Sequence, residues 1–169
     1  MKKNTVFLIG FMGSGKTTLG KKLAAKLKLQ FVDLDAAICE RFEAASIKTF
    51  VEEHTLEFFR KAEAETLRGI EREGKLISTG GGTPCFFDNM EWMLNHGTVV
   101  FIEVDEKTIY NRLKETDRTE RPLLAGLDDD ALRNFIYGNM AERMPFYKRA
   151  HIAFNPLKEK IEDLAVRLS

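Results

Sequence analysis

The chain has 169 residues, of which 44% are hydrophobic and 31% charged, enough for one domain with a sizeable core. Its 26 basic and 26 acidic residues cancel, which argues against a broad nucleic-acid surface, because such surfaces carry a basic excess. No apolar run is long enough for a membrane span, so neither nucleic acid nor membrane is expected as a partner.

The start, Met1-Lys2-Lys3 and then an apolar run over 5–9, superficially resembles a signal peptide. The run is too short, and glycines and Lys16 interrupt it; it reads as a first strand. Gly10-Phe11-Met12-Gly13-Ser14-Gly15-Lys16-Thr17 follows, and then Leu19, Leu23 and Leu27 recur at helical spacing. A second strand is expected over 30–33. Helices are expected over 35–42 and 46–53, the latter with Ser46 as N-cap, and a longer one over 56–72 that Gly74 ends. A third strand over 75–78 runs into Gly80-Gly81-Gly82. A helix over 88–95 closed by Gly97, a near-continuously apolar fourth strand over 98–104 and a helix over 106–114 come next.

Residues 115–127 are polar and irregular and are expected to form a mobile loop. Beyond them the pattern predicts a long helix over 128–149 broken near Pro145, and a fifth strand over 151–154. A closing helix over 156–168 carries Pro156 in its first turn. Five strands alternating with helices predict an α/β fold, a parallel sheet covered on both faces, without linker or repeat. Ligands on such a sheet lie at the carboxyl ends of the strands. The loop after the first strand, Asp33 with Asp35, and the triple glycine should therefore share one rim.

The spacing Gly-x4-Gly-Lys-Thr between a strand and a helix matches a P-loop at every fixed position. Glycines let phosphate oxygens approach successive backbone N–H groups, and the helix N-terminus adds its free donors and dipole. Lys16 can reach terminal phosphates and Thr17 can offer its hydroxyl to Mg²⁺. A polyphosphate, ATP or GTP, is the expected ligand.

Asp33 and Asp35 flank Leu34. Carboxylates at alternate positions of an extended segment point the same way; one can hold Mg²⁺, directly or through water, and the other accept a proton. A solvated turn with an N-cap Asp explains them equally well. Asp105, after the apolar fourth strand, is either a Walker-B-type acid or another N-cap. The triple glycine admits close backbone contact with a ligand. Arg60 and Glu63 are one helical turn apart and can pair. Arg118 and Arg121, in the irregular loop, either screen transferring phosphate or keep the loop soluble, and Arg143, in Arg-Met-Pro-Phe-Tyr, can equally be a surface charge before a helix break. Cys39 and Cys85 fit neither a disulfide framework nor a zinc site and read as reduced thiols of a cytoplasmic protein. The three histidines show no ligand spacing.

Taken in order, Gly10 to Thr17, Phe31-Val32-Asp33-Leu34-Asp35, Phe59-Arg60-x-x-Glu63, Ser78-Thr79-Gly80-Gly81-Gly82, Arg121-Pro122-Leu123-Leu124 and Arg143-x-Pro-x-Tyr147 resemble the shikimate kinase family, nearly end to end. The resemblance implies a nucleoside-monophosphate-kinase-like fold with sheet order 2-3-1-4-5, substrate-binding helices over about 34–62 and a lid over about 115–127. It implies transfer of the ATP γ-phosphate to the 3-hydroxyl of shikimate, with Mg²⁺ as cofactor, in a cytoplasmic monomer.

By the same resemblance, Gly13, Ser14, Gly15, Lys16, Thr17, Thr18, Arg112, Arg121 and Pro156 bind ATP. Asp35, Arg60, Gly80, Gly81, Gly82 and Arg143 bind the acceptor. Asp35 is the base, assisted by Lys16 and Arg121, and Thr17 and (through water) Asp33 hold the metal. The resemblance thus favours Asp33 over Asp105 for the metal and substrate binding over surface pairing for Arg60. The chain departs from the family pattern at Thr55-Leu56, where many members carry Gly-Glu, and at Val51, where an aromatic is often found.

Overall fold

The structure, a computed structural model, describes residues 5–169. Its centre is β1 (Val6–Ile9), four consecutive residues that are all buried. A strand without one polar-facing side has both faces covered, which is the environment of a parallel sheet between helices. β1 pairs in parallel with β3 (Lys75–Ser78) on one side and with β4 (Thr98–Ile102) on the other. β2 (Gln30–Asp33) and β5 (Ile152–Phe154) complete the sheet in the order β2-β3-β1-β4-β5. This is the expected order.

The helices are α1 (Lys16–Leu27), α2 (Leu34–Arg41), α3 (Ile47–Glu53), α4 (Leu56–Gly69), α5 (Asn89–His96), α6 (Glu106–Lys114), α7 (Asp129–Tyr147) and α8 (Ile161–Arg167). Side-chain caps start several of them. Ser46 accepts from the Thr49 amide at α3, Thr55 from Phe58 at α4, and Asp128 from Ala131 at α7. Asp105 caps α6 by accepting from the Thr108 amide, so of its two readings the cap is the one realised. Among the described residues no helix is long and apolar enough to cross a membrane.

Three expected helix bounds differ. α4 stops at Gly69, and Gly74 shapes the next turn instead, with the Lys75 amide bonded to the Arg72 carbonyl. Gly74 has φ +72°, a conformation that suits glycine. α7 is not broken near Pro145 but runs through it to Tyr147. Proline removes a single donor there, two residues from the helix end, where little helix remains to disrupt. The closing helix begins only at Ile161; residues 156–160 form turns, and the Asn155 side chain accepts from the Leu157 amide, so Pro156 lies outside any helix. Local asparagine bonds of this kind compete with helix initiation.

Candidate active site

The carboxyl ends of β1, β2 and β3, with α4, α7 and the 115–127 loop, enclose a cavity of about 740 Å³. The P-loop forms its floor. Gly13 and Gly15 have φ of +79° and +88°, in the left-handed region that side chains disfavour. Gly15 is also the N-cap of α1, which has no side-chain cap and no acidic residue in its first turn. The amides of that turn are thus free for an anion. Thr17 and Thr18 are exposed toward the cavity. Ser14 lies behind the loop, its Oγ buried without a partner. Lys16 is buried and donates to the Gly10 carbonyl at 2.6 Å and the Phe11 carbonyl at 3.0 Å. Burial lowers its ammonium to about 8; Asp35 counteracts this, and Arg121 and Arg143 add to it.

Asp33 ends β2 and fills both roles that its sequence position left open. Its Oδ1 caps α2, accepting from the amides of Asp35 at 2.9 Å and Ala36 at 3.3 Å. Its Oδ2 lies 3.5 Å from the Thr17 hydroxyl. The expected alternation of Asp33 and Asp35 along one extended segment does not occur, because α2 begins at Leu34. Asp35 reaches the cavity from the first turn of that helix. Burial, then the nearby Asp33 and Glu63 carboxylates, raise its carboxyl to about 6.

Arg60 and Glu63, which the sequence allowed to be a surface pair, are buried, with Arg60 Nη1 donating to Glu63 Oε1 at 2.9 Å. Glu63 Oε2 accepts from the Thr83 hydroxyl at 2.7 Å, leaving that carboxylate fully engaged. Arg143, on α7, lies with its guanidinium 5.1 Å from the Phe11 ring centre. Arg60 Nε and Arg143 Nη1 are buried without hydrogen-bond partners. Buried guanidinium donors are costly to leave unpaired, and planar forks of this kind match a carboxylate.

The triple glycine serves this pair of arginines. A Cβ on Gly82 would stand 2.5 Å from Arg60 Nη2, and one on Gly81 would stand 3.0 Å from Arg143 Nη1. The glycines therefore make room for side chains. None of the three has positive φ, so backbone freedom is not the reason for them.

Arg121, Pro122 and Leu123 from the 115–127 loop complete the wall. Arg112 lines the cavity and donates to the Gly13 carbonyl at 2.9 Å, which ties α6 to the P-loop. Arg118 is directed elsewhere: it donates to the Leu127 carbonyl at 2.7 Å and pairs with Asp129, joining the two ends of the loop. Pro156 is not among the residues that line the cavity. Sequence reasoning missed Thr83 and assigned no role to Tyr147, whose hydroxyl donates to the Gly81 carbonyl at 2.6 Å. The quoted Arg-x-Pro-x-Tyr segment was the available signal, since i and i+4 positions of a continuous helix share a face.

The residues present also fit a divalent cation held by phosphate. Among the described residues no cluster of three or more acidic, His or Cys side chains forms a self-contained metal cage. Thr17 and Asp33 instead supply one hydroxyl and one carboxylate beside the anion floor, as Mg²⁺ bound mainly by substrate phosphates requires.

The shikimate kinase family model matches residues 12–168. The chain is 45% identical to a shikimate kinase of Bacteroides fragilis over 159 residues, covering 94% of this chain and 87% of the relative. The crystal structure of a shikimate kinase from Bacteroides thetaiotaomicron superposes with a TM-score of 0.85 at 42% identity, covering 96% of this chain and 94% of that one. A shikimate kinase from Acinetobacter baumannii in complex with shikimate gives a TM-score of 0.83 at 28% identity, covering 97% and 89%. With its sheet order, P-loop and paired buried arginines all in place, the chain belongs to the shikimate kinase family.

Proposed function

We propose that the protein is an ATP-dependent shikimate kinase that transfers the γ-phosphate of ATP to the 3-hydroxyl of shikimate, giving shikimate 3-phosphate and ADP. The observation that carries this reading is the pair of buried, unpartnered donors, Arg60 Nε and Arg143 Nη1, beside Asp35 in a cavity floored by a P-loop. A small hydroxylated carboxylic acid needs such a set: cations for its carboxylate and an acceptor for its reacting hydroxyl.

The P-loop amides of 13–18, with Lys16, hold the ATP phosphates, and Arg121 approaches them from the lid. Arg112 borders the same end of the site, where the nucleotide base would lie with Pro156. Asp35 receives the proton of the 3-hydroxyl as its oxygen bonds to the γ-phosphorus, while the bond from that phosphorus to the bridging oxygen breaks and ADP leaves. Lys16 and Arg121 stabilise the charge that spreads over the transferring group. Thr17 and, through water, Asp33 would hold Mg²⁺ arriving with ATP, which would supply further charge neutralisation. Arg60, Arg143 and the 80–82 backbone orient the acceptor, and positioning makes the principal contribution.

We read the chain as one P-loop kinase domain, with acceptor-binding helices over about 34–62 and a lid over about 115–127. We also read it as a cytoplasmic enzyme, in keeping with Cys39 and Cys85, which are unpaired. Coupled ADP-release assays with shikimate and with gluconate test the assignment. Turnover on shikimate is expected; turnover on gluconate alone would overturn it.

A further inference from the structure

Arg60 has a partner on the side away from the cavity. Its guanidinium carbon lies 4.3 Å from the centre of the Phe86 ring and 5.2 Å from that of Phe59. Phe59 is a core residue, but Phe86 is 41% exposed and Arg60 only 7%. The exposed Phe86 ring thus lies against a buried guanidinium. Phe86 itself does not line the cavity.

The chain spends considerable structure to hold this ring. Residues 83–85 form a 3₁₀ turn, and Phe87 and Asp88 then take φ of 49° and 53°. Non-glycine residues in the left-handed region are strained, and persist only where surroundings hold them. The hold comes from Arg68, two helical turns beyond Arg60 on α4. It donates to the Phe87 carbonyl at 2.7 Å and to Asn89 Oδ1 at 2.6 Å. Buried Asn89 in turn donates to the Thr83 carbonyl at 2.9 Å, and the Thr83 hydroxyl donates to Glu63, the ion-pair partner of Arg60. The 83–89 segment is therefore fastened to α4 at both ends, with Phe86 suspended over Arg60 between them.

A guanidinium stacked on an aromatic face keeps its edge free for in-plane hydrogen bonds. Glu63 takes Nη1, the ring lies over the guanidinium, and Nε is an unpartnered donor. We propose that Phe86 is a positioning residue for Arg60: by stacking on the guanidinium and shielding it from water, it aims the free edge at the acceptor's carboxylate and so sets affinity for the acceptor. This rests on the reading that Arg60 binds that carboxylate.

The test is steady-state kinetics of Phe86→Ala, Phe86→Leu, Phe86→Tyr and Arg60→Ala, varying shikimate and ATP separately, with a melting curve for each. Phe86→Ala should raise the shikimate KM about three- to tenfold, the range expected for loss of a partly desolvated cation–π contact. Its kcat and its KM for ATP should stay within about twofold. Phe86→Tyr should match the parent protein. Phe86→Leu keeps apolar bulk without the ring's negative face and should follow Phe86→Ala. An unchanged shikimate KM in Phe86→Ala, a Phe86→Leu protein equal to the parent, or equal rises in both KM values with a lowered Tm would each overturn the positioning role. If Arg60→Ala raises the shikimate KM while Phe86→Ala does not, only this inference fails; if Arg60→Ala leaves it unchanged, the carboxylate assignment fails as well.

Discussion

Asp35 is half-buried near two other carboxylates, and its carboxyl is raised from 3.8 to about 6. The folded chain therefore holds that proton over a pH range in which the unfolded chain has released it. Native protein binds more protons between about pH 4 and 6, so this group's contribution makes stability fall as pH rises through that window and level off above it. Asp35→Asn removes the penalty: the ligand-free variant should be more stable at pH 7 by on the order of 1–3 kcal/mol in urea titrations. The same variant should lose at least about 100-fold in kcat, as loss of a general base predicts, with ATP affinity within about twofold. In the parent enzyme kcat/KM should fall below about pH 6 as Asp35 takes up its proton. It should fall again above about 8 as Lys16 loses its own. A variant with parental turnover would remove Asp35 from the chemistry. The identities of these residues were legible as chemistry-bearing types at suggestive spacings. Their charge states were not, because burial and the approach of Glu63 from α4 are properties of packing.

Among the elements, the 115–127 segment is composed of turns between α6 and α7, with one 3₁₀ turn at Arg118–Glu120. Arg118 clasps its far end through the Leu127 carbonyl and Asp129, while Arg121 lines the cavity. Such a strap can reposition as a unit about its base. Amide hydrogen exchange across 115–127 should slow when shikimate and a non-hydrolysable ATP analogue are added together; unchanged exchange would argue against a lid. Arg118→Ala should speed that exchange in the ligand-free protein. Elements with strong local signals, such as β1 or the helix capped at Ser46, appear where the pattern puts them. The failures are at Gly74, which shapes a turn after α4 has already stopped, and at Pro145 and Pro156, where a rule about proline meets its context. Pro145 sits so near the end of α7 that the helix tolerates it, and Asn155 draws the chain after Pro156 into a turn.

For the molecule as a whole, the monomer that the family resemblance implies is the state to test; the cavity gathers residues from Met12 to Arg143. Sedimentation should give the mass of one 169-residue chain, and specific activity should not change with protein concentration in the assay. A loss of activity on dilution would point to an obligate oligomer. The alternation of strands and helices indicated the fold class, and the ordered motifs the family, through whose resemblance the sheet order followed. Strand–glycine loop–helix alternation restricts topology, and a P-loop has few substitutes for its residue types. Tertiary structure alone decided how the acceptor site is built. It placed Asp35 on a helix turn and closed Glu63 between Arg60 and Thr83. It also turned Gly81 and Gly82 into space for two guanidiniums and set Phe86 over one of them. The contacts of Glu63 with Thr83, of Gly82 and Phe86 with Arg60, and of Gly81 with Arg143 join residues 20 or more positions apart. Sequence periodicity reports which face a residue shares with its own helix or strand; it carries no record of which distant side chain fills the space opposite.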